Sequence, residues 1–98
     1  MVTELAILKI DPAEAEEFEK TYQDVVHILR RQPGFINEKL MRAIERPEEY
    51  ILDVEWETVA DHQRFIEAPD YPDLDGALGK FVKDGGIAHY KTLSLIHI

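Results

Sequence analysis

Apolar residues recur at two different spacings along this chain, and the order in which the spacings alternate leaves few folds open to it. Residues 2–10 alternate as a strand does, with Leu5 and Ile7 on one face and more apolar side chains on the other, namely Ala6, Leu8 and Ile10. A strand that is apolar on both faces is expected to be covered on both sides. The chain is therefore predicted to begin with a strand buried on both faces.

The segment from Asp11 to Gly34 is predicted to form an amphipathic helix. Asp11 can cap the helix, Pro12 suits its first position, and Glu14 lies at the spacing of a capping box. The dipeptide Pro33-Gly34 ends the helix. Apolar residues at helical spacing predict its buried face, which contains Ala15, Phe18, Tyr22, Val25, Val26 and Leu29.

Residues 35–44 and 50–57 are predicted to form a β-hairpin around a turn that contains Pro47. One face of the second strand carries Tyr50, Leu52, Val54 and Trp56. The register of the hairpin stays open, because a slip of one residue exchanges the partners of that face. The two alternatives are Glu38, Leu40 and Arg42, or Asn37, Lys39 and Met41.

The second half of the chain predicts two shorter helices and a last strand. Thr58, with Asp61 three residues later, begins a helix whose inward stripe is Val59, His62, Phe65 and Ile66. Asp70 can begin a third helix that buries Leu74, Leu78, Phe81 and Val82. Gly85-Gly86 is predicted to turn the chain into a strand over residues 87–95 or beyond, with Ile87, Leu93 and Leu95 on one face and Ala88, Tyr90 and Ile96 on the other.

The order strand, helix, strand, strand, helix, strand predicts one α+β domain over residues 1–98, of the ferredoxin-like βαββαβ kind with a four-stranded antiparallel sheet. Helices cover one face of such a sheet and leave the other bare. Exposing several aliphatic side chains there would cost several kcal/mol at roughly 25 cal/mol per Å². That cost is comparable with the whole stability of a small domain, so we expect a homodimer.

Charge and composition exclude several classes of partner and cofactor. The formal net charge is −9 and the isoelectric point about 4.8, so nucleic acids and anionic membranes would be repelled. The absence of cysteine excludes disulfides and thiolate metal sites, and it agrees with a cytoplasmic location. Asp73 and Asp75 lack the rest of a calcium-binding loop, and we expect no metal. The first residues do not form a signal peptide, and no apolar run approaches membrane-spanning length.

His62 is the candidate catalytic residue. It lies on the inward stripe near the start of its helix, where the helix dipole favours a neutral imidazole. Such a ring can act as a general base or as a hydrogen-bond donor. The alternative is a buried histidine whose ring is satisfied by a backbone carbonyl. His27 lies off the apolar stripe and His97 near the end of the printed sequence, and neither is expected to be functional.

Five aromatic or imidazole side chains are candidates for the wall of a substrate site. Trp56, Phe65 and Tyr22 are expected to be core residues first and pocket walls second. His89 and Tyr90 point to opposite faces of the last strand, so at most one of them can enter a given pocket.

Several short motifs occur in an order that resembles the antibiotic biosynthesis monooxygenase family. They are Pro33-Gly34-Phe35, Leu40-Met41-Arg42, Pro47-Glu48-Glu49-Tyr50, Val54-Glu55-Trp56-Glu57, Thr58-Val59-Ala60-Asp61-His62 with Phe65, and His89-Tyr90. The likeness extends over nearly the whole chain. It implies a dimeric α/β barrel in which each subunit holds a pocket between its sheet and its helices.

The resemblance implies first an enzyme that oxygenates an aromatic phenol or hydroquinone and needs no cofactor. His62 would be the base or donor, and the pocket would be lined by Trp56, Phe65 and one of His89 or Tyr90. The alternative is a dimer that binds or senses a small molecule without catalysis. Haem breakdown, which some members perform, is disfavoured because residues 63–88 contain no histidine and the first strand contains no asparagine.

Overall fold

A computed structural model describes residues 1–94 and shows four strands and three α-helices. The elements in chain order are β1 (Val2–Ile10), a 3₁₀ turn (Pro12–Glu14), α1 (Ala15–Arg30), β2 (Phe35–Arg42), β3 (Glu49–Trp56), α2 (Val59–Ile66), α3 (Tyr71–Gly79) and β4 (Val82–Tyr90). The strands form one antiparallel sheet in the order β2-β3-β1-β4, with β1 paired to both β3 and β4. This is the predicted ferredoxin-like α+β fold.

The predicted start and end of the first helix are close to those observed. Asp11 Oδ1 accepts a hydrogen bond of 2.9 Å from the backbone N–H of Ala13, and a 3₁₀ turn leads into α1. Gly34 follows the helix with a φ of 82°, a conformation that favours glycine. A Cβ at Gly34 would lie 2.2 Å from Cγ of Asp61, so this turn packs closely against the start of α2.

The hairpin adopts the first of the two registers that the sequence left open. Leu40 lies opposite Leu52, and Glu38 lies opposite Val54. Opposite residues in an antiparallel pair share a face, so Glu38 and Leu40 lie on the face that carries Trp56. A shift in register after Phe35 brings its ring edge-on to Trp56, with 6.2 Å between the ring centroids.

The prediction for the last strand was wrong in its bounds. β4 begins at Val82, which had been assigned to the preceding helix, and it ends at Tyr90. Gly85 lies within the strand and pairs with β1. A Cβ at this position would lie 2.2 Å from the carbonyl oxygen of Ile7 on the neighbouring strand, so a larger residue would clash there. Gly85 thus permits a close approach of two strands, and the glycine pair does not form a turn. Of the residues assigned to this strand, Leu93 lies beyond its end, whereas Leu95 and Ile96, like His97, lie outside the described residues.

The buried side chains between the sheet and the helices form two clusters. The first, which we call the aromatic core, consists of Phe18, Tyr22, Tyr50 and Phe81 with the aliphatic residues around them. The second is centred on Trp56, which is fully buried, and includes Leu29 and Phe65. Ile66, predicted to point inward, is 45% exposed and belongs to neither.

Candidate functional site

Four side chains from four different elements meet at one end of the layer between the sheet and the helices. We call them the polar cluster: Glu4 of β1, Trp56 of β3, His62 of α2 and His89 of β4. The indole N–H of Trp56 donates a hydrogen bond of 2.9 Å to Glu4 Oε1. The imidazole of His62 stacks on Trp56, with 5.5 Å between the ring centroids and 21° between the ring planes.

His62 is the centre of the polar cluster. Its Nδ1 lies 2.7 Å from Nε2 of His89, and its Nε2 lies 3.4 Å from Oε1 of Glu4. The first distance is that of a hydrogen bond, whereas the second exceeds the usual range of 2.7–3.2 Å for N–H···O bonds. His62 therefore makes its strong contact with His89 and a looser one with Glu4.

Local structure explains why these side chains converge. Thr58 and Asp61 form a capping box, in which the backbone N–H of each donates to the side-chain oxygen of the other. The box fixes the first turn of α2, so His62 points at the sheet. Antiparallel pairing of β1 with β4 places Glu4 directly opposite His89, on the face that the helices cover.

Burial moves the protonation equilibria of both central groups toward their neutral forms. Glu4 and His62 are each only 5% exposed. Desolvation raises the pKa of Glu4, against the opposing effects of the Trp56 hydrogen bond and of His89. Desolvation, with a contribution from His89, lowers the pKa of His62 to about 4. At neutral pH the ring of His62 is therefore uncharged and able to accept a proton.

A cleft of about 120 Å³ lies beside the polar cluster, between the sheet and helices α2 and α3. Glu4 and His62 form its polar wall, and Tyr71 and Asp75 of α3 add a second polar group. No lysine or arginine among the described residues lines the cleft. The rest of the wall is apolar and includes Leu29, Leu52, Val54, Phe65, Leu74, Leu78 and Ile87.

The contacts of the Glu4 carboxylate are concentrated on one oxygen. Both of them, to Trp56 and to His62, use Oε1. Within residues 1–94, Oε2 makes no hydrogen bond, and no buried side-chain oxygen is left there without a partner, so Oε2 keeps some exposure. Glu4 itself is one of the residues that line the cleft.

The structure brings together some of the predicted site residues. His62 and Phe65 line the cleft directly, and the ring of Trp56 stacks on the imidazole of His62. His89 reaches the site through its contact with His62. The two remaining candidates lie elsewhere: Tyr22 belongs to the aromatic core, where its hydroxyl donates to Glu38, and Tyr90 faces the opposite side of the sheet, beside Thr3.

Glu4 is the residue of the polar cluster that reasoning from the sequence missed. It stands two residues before Ala6, on the face of β1 that Leu8 and Ile10 also occupy. A carboxylate at the two-residue spacing of an otherwise apolar face is a signal of a buried polar site. That signal was present in the printed sequence.

Residues 1–94 contain neither a candidate metal site nor a helix suited to cross a membrane. No group of three or more histidine, aspartate or glutamate side chains is arranged there to hold a metal ion. None of the helices in this part of the chain combines the length and the hydropathy that crossing a membrane requires.

Comparison with known proteins identifies the family. The family model described as antibiotic biosynthesis monooxygenase matches residues 1–74. The protein YczJ of Bacillus subtilis (strain 168) is 33% identical over 82 residues, which are 83% of this chain and 86% of YczJ. A Bordetella bronchiseptica structure classed with the antibiotic biosynthesis monooxygenases has a TM-score of 0.89 at 25% identity, covering 95% of this chain and 97% of that one.

A further solved structure shares the fold at lower identity. SnoaB, a cofactor-independent oxygenase from Streptomyces nogalater, has a TM-score of 0.82 at 21% identity, covering 97% of this chain and 95% of SnoaB. The match over most of the chain confirms the resemblance seen in the sequence motifs. This chain belongs to the antibiotic biosynthesis monooxygenase family.

Proposed function

We propose that this protein is a cofactor-independent monooxygenase that acts on an aromatic phenol or hydroquinone held between the sheet and the helices. The observation that carries the proposal is an uncharged, buried imidazole at the wall of an apolar cleft, beside a carboxylate. Membership of the family and the shared fold with the oxygenase SnoaB support it.

The proposed reaction needs only the substrate and dioxygen. Loss of a proton makes the aromatic ring electron-rich enough to pass an electron to dioxygen, and the two radicals combine at a ring carbon. Loss of water then leaves a carbonyl at that carbon. Overall, one oxygen atom enters the substrate, the other becomes water, and the substrate supplies the two hydrogen atoms and the electrons.

The side chains around the cleft fit the demands of the proton-transfer step. His62 accepts the proton at Nε2, the nitrogen that no short hydrogen bond occupies. An imidazole whose pKa is lowered to about 4 is a weak base in isolation. The carboxylate of Glu4, 3.4 Å from Nε2, stabilises the imidazolium as it forms. Trp56 and Phe65 keep water from the ring, which strengthens this electrostatic effect.

The size of the cleft favours a substrate with one ring inside it. Its volume of about 120 Å³ is somewhat smaller than the roughly 150 Å³ of an engineered apolar cavity that binds benzene. A single phenol or hydroquinone ring is therefore the largest group that we expect to sit fully against His62. The other rings of a polycyclic substrate would lie toward the mouth of the cleft.

The proposal is tested by dioxygen consumption with metal chelated, using single-ring hydroquinones and anthrone-like substrates. We expect uptake by the wild type and a loss of about 100-fold in His62→Ala, the low end for removing a general base. The matched control is His27→Ala, which removes an exposed histidine of α1. Equal uptake in His62→Ala and His27→Ala would refute the role of His62.

Uptake no faster than the uncatalysed reaction would refute the oxygenase itself. Tight binding of the same phenols without turnover would then support the alternative, a non-catalytic module that binds or senses a small molecule. Calorimetric titration of the same panel separates these two results.

We propose further that the protein works as a homodimer through the face of the sheet opposite the helices. That face carries Ile7 and Tyr90, which are 42% and 53% exposed, together with Leu5, Ile51 and Ala88. Covering these apolar side chains with a second copy would remove them from water at roughly 25 cal/mol per Å². Light scattering at micromolar concentration is expected to give the mass of two chains, and a monomeric mass would contradict the proposal.

A further inference from the structure

We propose that His62 and His89 form a proton relay that carries the proton of the substrate from the buried end of the cleft to solvent at the edge of the sheet. The relay rests on the proposed function for the origin of its proton. It assigns to His89 a role as a proton carrier, where the sequence had suggested only a residue of the pocket wall.

The geometry of the two rings supports the relay. His62 lines the cleft and is 5% exposed, so a proton on its ring has no direct contact with bulk water. His89 lies on the edge strand β4 and is exposed. The 2.7 Å between His62 Nδ1 and His89 Nε2 is a short hydrogen bond that joins the buried ring to the exposed one.

The relay requires one starting tautomer of the histidine pair. An uncharged imidazole has a single N–H, and either ring can be the donor in the 2.7 Å contact between His62 Nδ1 and His89 Nε2. His62 Nε2 is 3.4 Å from Glu4, beyond the usual hydrogen-bond range, so no short hydrogen bond occupies this nitrogen. The relay therefore assigns the proton of His62 to Nδ1, donating to His89, and leaves Nε2 free to accept.

Each proton in the relay then has a donor and an acceptor. The substrate O–H bond breaks and an N–H bond forms at His62 Nε2. The Nδ1–H of His62 passes to Nε2 of His89, and the Nδ1–H of His89 passes to water. One proton has left the cleft and no atom has changed oxidation state. The first tautomers return when His62 Nε2 gives its proton back to the bound anion, while a proton passes from water to His89 Nδ1 and from His89 Nε2 to His62 Nδ1.

The charged and titratable groups around the pair favour the passage of a positive charge. Glu4 of β1 faces both imidazoles, and Tyr71 and Asp75 of α3 lie across the cleft from His62. None of Glu4, Tyr71 and Asp75 is cationic, so these three groups do not repel a transient imidazolium, and the His62 ring is opposed only by His89 when that ring is itself charged. Glu4 thereby lowers the cost of the protonated intermediate that burial would otherwise impose.

The relay is tested without dioxygen, using 4-nitrophenol as a chromogenic single-ring phenol whose absorbance reports its ionisation. Temperature-jump relaxation of the bound probe follows proton exchange between the cleft and solvent. We expect the relaxation in His89→Ala to be slower than in the wild type by about 100-fold. Added imidazole is expected to restore the rate in His89→Ala, because a free ring can occupy the exposed space and carry the proton. A purely structural role for His89 would not respond to imidazole.

The outcomes separate the relay from the oxygenase. Three results would each overturn the relay. His89→Ala could relax as fast as the wild type, or it could relax slowly without recovering when imidazole is added. The third such result is a bound probe that does not ionise in the wild type. The control is His27→Ala, which removes an exposed histidine of α1 and is expected to relax like the wild type. Ionisation and rescue without any oxygen uptake would support the relay and refute the oxygenase.

Discussion

The aromatic core and the polar cluster lie in the same layer between the sheet and the helices but arrange their polar atoms in opposite ways. In the aromatic core, Phe18 packs edge-on against Tyr50 at 4.9 Å and against Phe81 at 5.7 Å between ring centroids. The hydroxyl of Tyr22 points outward and donates to Glu38. In the polar cluster the indole and imidazole nitrogens point inward, to one another and to a buried carboxylate.

The two regions also differ in how their carboxylates are compensated by cations. Glu38, which accepts from Tyr22, is held by Arg30 at 2.6 Å. Among the described residues, Glu4 has no arginine or lysine within ion-pair distance. A buried carboxylate without a cation reduces stability. The aromatic core therefore stabilises the fold, whereas the polar cluster retains a buried acid at a cost in stability.

The largest expected effect on stability comes from removing a ring of the aromatic core. Phe18→Ala removes a fully buried ring that contacts two other rings, and we expect it to lower the free energy of unfolding by about 3–5 kcal/mol. Urea unfolding measures the change, and Phe18→Leu, which keeps most of the volume, should cost less. A loss below about 1 kcal/mol would mean that this cluster is not the main source of stability.

The pH dependence of stability sharpens the comparison, because only the polar cluster contains a buried histidine among residues 1–94. The pKa of His62 is about 4 in the folded protein, against an ordinary value of 6.5. Between these values the unfolded chain binds more protons, so stability is lost as the pH falls. The free energy of unfolding of the wild type, relative to His62→Gln, is expected to fall by on the order of 2 kcal/mol from pH 6.5 to pH 4.

Chemical denaturation at a series of pH values checks this difference. His27→Gln is the control, because its side chain is exposed on α1. An identical pH dependence in the wild type and in His62→Gln would show that His62 is not held in its neutral form by burial.

A smaller effect is expected from removing single tyrosine hydroxyls, one in the aromatic core and one beside the cleft. Tyr22→Phe removes the donor to Glu38 but leaves that carboxylate bound to Arg30, so the loss should be about 1 kcal/mol. Tyr71→Phe, which removes a hydroxyl 3.3 Å from Asp75, should cost less. Thermal or urea unfolding measures both. A fall in oxygen uptake in Tyr22→Phe would contradict its assignment to the core.

The smallest expected change has the opposite sign. Burial raises the pKa of Glu4, so its charged form is less favourable in the folded protein than in the unfolded chain. Glu4→Gln removes that charge at nearly constant volume, and we expect the free energy of unfolding to rise by about 1 kcal/mol or less while oxygen uptake falls. Glu57→Gln, at an exposed position, is the control. A loss of stability in Glu4→Gln would show that the carboxylate stabilises the fold.

Local patterns in the sequence predicted most of the fold. The alternation in residues 2–10 predicted β1 in full, and the capping residues Thr58 and Asp61 predicted the start of α2. The bounds of β4 were wrong, because two adjacent glycines are typical of turns and only the neighbouring strand shows why Gly85 is needed inside a strand. The hairpin register was open for the same reason, since it depends on contacts between segments.

The candidate site was predictable in its parts but not as a whole. His62 and Phe65 followed from helical spacing in α2, whereas the partners of His62 come from β1 and β4, distant in sequence. Glutamate is usually found at the protein surface, and no pattern in the neighbouring residues indicates that Glu4 contacts a tryptophan. Strand pairing decides that, because it sets Glu4 opposite His89.

The sequence by itself determined the kinds and order of the elements, the buried stripe of α1, and an inward histidine near the start of α2. These depend on side-chain periodicity and on hydrogen bonds between neighbours in the chain, which are local. The tertiary structure decided the register, the bounds of β4 and the union of Glu4, Trp56, His62 and His89 in one network. Those features require segments up to tens of residues apart to meet, and the free energy that selects their pairing exists only when the sheet and the helices have packed.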